Sequence, residues 1–320
     1  MPIRSRRTVL PPADKERFRT VAIALAANFG VAGAKLAAAL FTGSSAMLAE
    51  AFHASADTGN QLLLLVAQGR ARRAPDQRHP LGHGREAYFW SLMASLGVFA
   101  TGALLSLREG VEQLVRPTTV TSFPVAYVVL VVSFCLDGLS LQRAYRQIRN
   151  EGRTLGRAFF EHLDLSSDPI SRAVFAEDAA AIIGNLVALT GIVLHQITGS
   201  PIPDGIAALL IAGTLCVVAF ELARRNRAFL VGQEASAPLR SRIEQMIARQ
   251  PGIVVVNQLL VTFLGPRQLW VVARIDIDDK MSGAGVKELQ RATEAALKEQ
   301  SPFIVRVDLV PSIAGKNASR

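Results

Sequence analysis

Residues 49–57 read AEAFHASAD and residues 174–185 read VFAEDAAAIIGN, and each segment places ionisable residues inside a long apolar stretch. A helix of about 20 apolar residues crosses the roughly 30 Å hydrocarbon core of a bilayer. Stretches of that length recur along the chain and then stop. They predict six transmembrane helices, at residues 21–41, 46–66, 88–107, 123–141, 173–194 and 202–222.

The composition agrees with a membrane protein. Of the 320 residues 50% are hydrophobic and only 6% are aromatic, which is too apolar and too long for one soluble core. The net charge of +9 raises the alternative of a nucleic-acid-binding protein. The basic residues lie beside the ends of the predicted helices, where they orient the chain and meet anionic lipid, so no nucleic-acid partner is predicted.

Basic residues are concentrated on alternate connections. The connections at 42–45 and 196–201 contain no Lys or Arg, whereas those at 67–87 and 142–172 contain several. By the positive-inside rule we expect both termini in the cytoplasm. The chain starts with a basic polar arm, not with the apolar core of a signal peptide, so we expect the bacterial inner membrane and not an organelle.

The last part of the chain has a different pattern, in which charged residues alternate with apolar ones. It predicts a small α+β domain in the order αββαβ, with helices at 239–249 and 284–299 and strands at 253–263, 268–277 and 303–310. The predicted domains are therefore 1–232 in the membrane and 233–320 in the cytoplasm. The second contains no His or Cys, so dimer contact is the expected role of this domain.

Ionisable residues inside a transmembrane helix are costly, so each is a candidate functional residue. In the second helix Glu50, His53 and Asp57 are spaced to share one helical face. In the fifth helix Glu177 and Asp178 are adjacent. Imidazole and carboxylate ligands on two helices suit a divalent transition-metal ion. The alternative is a set of hydrogen bonds that hold the helices together.

Further ionisable residues lie in the predicted helices or at their ends, among them Asp137 in the fourth helix, and none of them is expected to be a ligand. Lys35 is expected to pair with a carboxylate or to extend to the interface, and Asp204 to cap its own helix. His195, at the outer end of the fifth helix, is expected to be interfacial.

The sequence resembles the cation diffusion facilitator family, in the branch that contains the mitochondrial zinc exporter. The resemblance rests on AEAFHASAD at 49–57, HPLGHGREAYFWS at 79–91, VFAEDAAAIIGN at 174–185 and the αββαβ tail. It implies a homodimeric metal/proton antiporter with six transmembrane helices and a metallochaperone-like cytoplasmic domain. The ligands are expected from paired motifs in the second and fifth helices.

The second motif departs from the family pattern. Zinc exporters of the family have His four residues before the Asp, and this chain has Val174 before Asp178. Either Glu177 or Glu50 is expected to supply the fourth ligand. One nitrogen among several oxygens favours harder ions than a two-His site does, so manganese and iron(II) stay open beside zinc.

Asp76, His79 and His83 lie close together in the loop before the third helix. The resemblance implies an accessory metal site there, while the plain alternative is a turn into the next helix. No enzyme activity and no cofactor other than the transported ion are expected, because no nucleophile elbow, phosphate loop or dinucleotide fingerprint occurs. The alternative to transport is a membrane metal sensor or scaffold that does not move the ion.

Overall fold

The computed structural model describes residues 12–154 and 157–313, which form ten α-helices, a π-helical segment and three strands. The two helices before the first loop are α1 (Pro12–Thr42) and α2 (Ser45–Ala71). A third helical segment consists of α3 (Glu86–Gly97), a π-helical turn (Val98–Ala103) and α4 (Leu104–Val115). The remaining helices of this part are α5 (Phe123–Thr154), α6 (Phe159–Leu165), α7 (Pro169–Thr198) and α8 (Ile202–Val231).

Five helical segments in the described residues are long and apolar enough to cross a membrane. They are α1, the segment from α3 to α4, α5, α7 and α8. The remaining predicted helix, the second, is α2, which at 27 residues is long enough but holds the polar residues of the first motif. The chain is an integral multi-pass membrane protein, and α2 stays in the bundle by burying its polar face.

Lipid contact explains the surface of α5. Val128 is 63% exposed, and Val131, Val132 and Leu139 are also more than half exposed. Such a continuous apolar surface is costly in water and natural in hydrocarbon. On the inner side, small residues bring the helices together: Ala46 and Ala49 of α2 pack in one cluster with Ala207 and Ala208 of α8.

The helices extend beyond the predicted spans. α5 continues to Thr154 and α8 to Val231, well past the ends at 141 and 222 that hydropathy gives. Hydropathy detects only the part of a helix inside the hydrocarbon, whereas Arg, Gln and Glu continue the helix into water without penalty.

The tail has the predicted order αββαβ. It consists of α9 (Ala237–Ala248), β1 (Ile253–Gly265), β2 (Gln268–Ile277), α10 (Gly283–Gln300) and β3 (Ile304–Ile313). The sheet order is β1-β2-β3, with β1 antiparallel and β3 parallel to β2. Alternate residues of β2 are buried, from Leu269 to Ile277, because one face of the sheet carries α9 and α10.

The described residues divide into two compact units. One contains the residues up to Leu63, Ala94–Arg143 and Val174–Phe220, and the other contains Leu64–Met93, Ala144–Ala173 and the residues from Glu221 onward. In the second unit Tyr88 and Phe229, from helix ends, share a core with Phe263 of the sheet. The domain boundary near residue 232 stays a prediction, and residues 1–11, 155–156 and 314–320 of the two predicted domains lie outside the described part.

Candidate functional site

The position of α2 is fixed at its first turn by a carboxylate from α8. Asp204 accepts hydrogen bonds from Ser44 Oγ and Ser45 N, both at 2.7 Å, and from Ala46 N at 3.4 Å. These backbone N–H groups have no partner inside α2, so Asp204 acts as its N-terminal cap. The expectation that Asp204 caps its own helix is therefore wrong: its carboxylate turns to the neighbouring helix, where the free donors are.

Glu50 lies at the centre of a buried charge network. Its Oε2 is 2.9 Å from Lys35 Nζ, and both side chains are almost fully buried. Lys35 Nζ is also 3.7 Å from Asp137 Oδ2, which in turn accepts a 2.7 Å hydrogen bond from Asn185. Of the two expectations for Lys35, pairing with a carboxylate is therefore the one observed. The network joins α1, α2, α5 and α7.

Gly184 makes room for this network. A Cβ at position 184 would overlap Oε1 of Glu50, so only glycine lets the carboxylate lie against the α7 backbone. The sequence alone does not single out Gly184, because glycine is common in transmembrane helices wherever two helices pack closely.

His53 lies between the two acids of α2. Its Nε2 is 3.1 Å from Asp57 Oδ2 and its Nδ1 is 3.7 Å from Glu50 Oε1. The contact with Asp57 is a close approach without hydrogen-bond geometry, since Nε2 has no hydrogen-bond partner. The predicted alignment of Glu50, His53 and Asp57 on one face is confirmed by these contacts.

The two acids of α7 have neutral partners. Glu177 is buried and accepts a short hydrogen bond from the Asn60 side chain, and Asp178 accepts a 2.7 Å hydrogen bond from Ser140 Oγ. Asn60 continues the polar face of α2 three residues after Asp57, so the same spacing argument detects it. Ser140, on α5, carries no comparable signal.

The candidate ligands of α2 and α7 are near one another but not gathered around a point. Three ligand atoms within 4.8 Å of one another are found in the described residues only in the loop cluster below. Several buried atoms of the α2 and α7 face also have no hydrogen-bond partner, namely Glu50 Oε1, His53 Nε2, Asp57 Oδ1, Asn60 Oδ1 and Asn185 Oδ1. Unsatisfied buried polar atoms are rare in proteins and are typical of a site that a ligand completes.

The loop cluster of Asp76, His79 and His83 has converged already. Asp76 Oδ1 is 3.2 Å from His79 Nδ1, and Asp76 Oδ2 is 3.1 Å from His83 Nε2. Backbone N–H donation from His79, followed by the His83 ring, lowers the pKa of Asp76 to about 2. The residues therefore present an ionised carboxylate and two imidazoles to one point.

The backbone of the same loop forms a turn into α3, as the alternative to a metal site predicted. Gly82 has a φ of 83° and its N–H bonds to His79 O at 2.9 Å. Gly84 lies against the β1–β2 turn, where a Cβ would come within 2.5 Å of Leu264 O. This close approach of the loop to the tail could not be seen in the sequence.

Two residues outside these clusters have defined partners. His195, near the end of α7, is buried in the protein and packs edge-on against Phe123, with ring centroids 5.7 Å apart, and its depth at the membrane interface stays a prediction. In the tail, Arg306 pairs with Asp308 at 2.8 Å, and Trp270 donates to the same carboxylate at 2.6 Å. Arg306 lowers the pKa of Asp308, which is already fully engaged within the protein.

Comparisons with known proteins can be set beside this geometry. The family model of the cation efflux transmembrane domain matches residues 21–231. A protein of Xenopus laevis named proton-coupled zinc antiporter SLC30A9, mitochondrial, is 32% identical over 77% of this chain and 44% of its own length. Metal tolerance protein C4 of Arabidopsis thaliana is 30% identical over 84% of this chain and 59% of its own length.

A bacterial relative and a solved structure complete the comparison. The cation-efflux pump FieF of Shewanella oneidensis is 27% identical over 78% of both chains. A solved MamM CTD structure covers 24% of this chain and 89% of its own, with 21% identity and a TM-score of 0.23. This chain thus spans less than two thirds of the length of the antiporter and of the plant protein.

Proposed function

The chain belongs to the cation efflux family, and from that premise we propose that it exports a divalent transition-metal ion, zinc first, in exchange for protons. The observation that carries the proposal is the buried polar face shared by α2 and α7. Five ionisable groups lie on it, among apolar helices: Glu50, His53, Asp57, Glu177 and Asp178. Such groups inside a membrane are costly, and an ion pathway is the usual reason for them.

The proposed transport ligands are His53, Asp57, Asp178 and Glu177. Glu177 is preferred to Glu50 as the replacement for the imidazole missing at Val174. Glu50 has an ion pair with Lys35 at 2.9 Å, which a metal would have to break, whereas Glu177 has only a neutral amide partner. The remaining role for Glu50 is to hold α1 and α2 together.

The proposed mechanism follows from the requirement that metal ligands be deprotonated. Binding of the ion from the cytoplasmic side displaces protons from His53 and the carboxylates, and rebinding of protons on the acidic side drives release. The helices rock around the site between the two states. Zinc is supported by the name of the antiporter relative, and three oxygens with one nitrogen keep manganese and iron(II) as candidates.

Further parts of the proposal concern the setting of the protein. We place both termini in the cytoplasm on the charge asymmetry of the loops, and we propose a bacterial inner membrane as its location. We also propose a homodimer, in which the αββαβ tail supplies contacts between the copies.

Uptake into proteoliposomes tests the proposal. The purified chain is reconstituted with an acidic interior, and entry of zinc, manganese and iron(II) is followed separately. Uptake is expected to need the pH gradient and to fall at least about 100-fold in Asp57→Ala and Asp178→Ala, since each removes a charged ligand from a buried site. Asp164→Ala is the matched control, because Asp164 is an exposed carboxylate on α6 that pairs with Arg225.

Flux that both substitutions leave unchanged contradicts the ligand assignment. Zinc binding to the native chain without any flux favours the alternative, a membrane metal sensor that uses the same residues. Uptake that does not depend on the pH gradient supports metal transport and contradicts proton exchange.

A further inference from the structure

A cavity of about 370 Å³ lies at the basic end of α8, in the unit that contains the tail. Its walls come from α6, the first turn of α7, the end of α8 and the start of α9. It is separate from the metal-ligand candidates, none of which lines it. Arg172, Arg224 and Arg225 are the basic residues of its lining, and Asp164 and Glu234 are the acidic ones.

The acids of the lining are already neutralised. Asp164 pairs with Arg225 at 2.6 Å and Glu234 pairs with Arg240 at 3.4 Å. Arg224 has only Glu221, at 3.0 Å, and shares it with Arg225. The positive charges of the cavity are therefore only partly compensated.

Arg172 is the side chain that requires an explanation. It is only 5% exposed, it takes part in none of the ion pairs of the described residues, and its Nε has no hydrogen-bond partner. Its guanidinium lies 5.1 Å from the centre of the Phe229 ring, which packs one face but accepts no N–H donor. Asp168 and Asp164 attract the Arg172 guanidinium only from beyond ion-pair distance. A buried guanidinium with no anion in direct contact is unfavourable, so an anion is expected to complete it.

The start of α9 faces the same cavity. Ser236, its N-cap residue, lines the cavity and makes no side-chain capping hydrogen bond. A helix N-terminus presents free N–H groups and the positive end of the helix dipole, which favour an anion. Pro238 has no N–H group, so in the first turn of α9 these donors are the N–H groups of Ala237 and Leu239. The unused hydroxyl of Ser236 adds a further donor.

We propose that this cavity binds the phosphate group of a ligand, through Arg172, Arg224 and the N-terminus of α9. Phosphate has the several acceptor oxygens that guanidinium forks and helix N–H groups match. Two sources offer this chemistry: the headgroup of an anionic phospholipid, and soluble phosphate. The site is independent of the proposed metal transport.

Thermal unfolding of the full chain in an uncharged detergent tests the proposal. Inorganic phosphate and dihexanoyl phosphatidylglycerol are titrated separately against sodium chloride of equal ionic strength. The probe that occupies the site is expected to raise Tm, and its affinity to fall about tenfold in Arg224→Gln, the loss of one charge-assisted contact. Arg227→Gln is the matched control, an exposed arginine on the same helix that does not line the cavity.

Each outcome decides. Stabilisation by phosphatidylglycerol alone assigns the site to lipid, and equal stabilisation by phosphate assigns it to a soluble ligand. No stabilisation by either probe, or equal affinity in the native chain and Arg224→Gln, overturns the proposal. Arg172→Gln is expected to abolish binding, and if that variant does not fold, Arg224→Gln together with Ser236→Ala carries the test.

Discussion

The loop cluster and the buried α2–α7 face have similar types of candidate ligand, but the side chains converge on one point only in the loop. In the loop, Asp76, His79 and His83 already meet within 4.8 Å, and Asp76 and His79 are about half exposed. On the buried face three acids are held by protein donors: Glu50 by Lys35, Glu177 by Asn60 and Asp178 by Ser140. The first cluster is ready for an ion in water, and the second must rearrange to take one.

The difference follows from what each place has to do. A site that retains an ion gains from ligands that have already converged, because little ordering is lost on binding. A site that passes an ion must also release it, so binding has to be moderate and reversible. In the proposed transport site, we expect protein donors that compete for the carboxylates to lower the affinity for the ion. Removing those donors is the way to test the comparison.

The largest effect on stability is expected at Lys35. Lys35→Met leaves Glu50 buried without its cation, which costs about 3 to 5 kcal/mol of unfolding free energy. Glu50→Met is expected to cost less, because Lys35 keeps Asp137 at 3.7 Å. The double variant is expected to recover most of the loss, since it leaves no unpaired charge at this point. Reversible unfolding in mixed micelles measures all three.

Transport by the double variant then separates the two roles of Glu50. If flux returns with stability, Glu50 is a structural residue and Glu177 remains the fourth ligand. Recovered stability with no flux shows that transport needs the charged pair, and Glu50 then replaces Glu177 as the candidate fourth ligand. Losses that simply add in the double variant contradict the ion pair itself.

A smaller loss is expected at Gly184. In Gly184→Ala the new methyl group displaces the Glu50 carboxylate from α7, and the strain and weakened pair cost about 2 kcal/mol. Gly213→Ala is the matched control: it lies within α8, a Cβ there meets nothing within 4 Å, and alanine is the better helix former. Melting temperatures of the two variants in detergent give the comparison, and equal melting temperatures would show that Glu50 does not pack on Gly184.

Sequence patterns predicted the membrane helices and the tail well, because both depend on local periodicity. The polar face of α2 was predicted for the same reason, since the spacing of Glu50, His53 and Asp57 is a property of one helix. The partners were not predictable. Asp204 capping α2 and Ser140 on Asp178 join residues far apart in sequence, and only the packing of the helices brings them together.

The smallest expected effect is a change in the pKa of Asp76, which reports whether the loop cluster has already converged. The pKa of Asp76 is lowered to about 2, so its carboxylate stays charged from pH 7 down to pH 4, and its stabilising contribution is lost only as the pH falls through about 2. His83→Ala is expected to raise this pKa only part of the way to its ordinary value of 3.8, because the backbone N–H of His79 remains. His79→Ala is expected to raise it less, because the His79 side chain contributes less to the shift than the His83 side chain does. Carbon-13 resonances of labelled Asp side chains report the titration. An Asp76 that titrates near 3.8 in the native chain would mean that the loop is not preformed, and the contrast with the buried face would then rest on exposure alone.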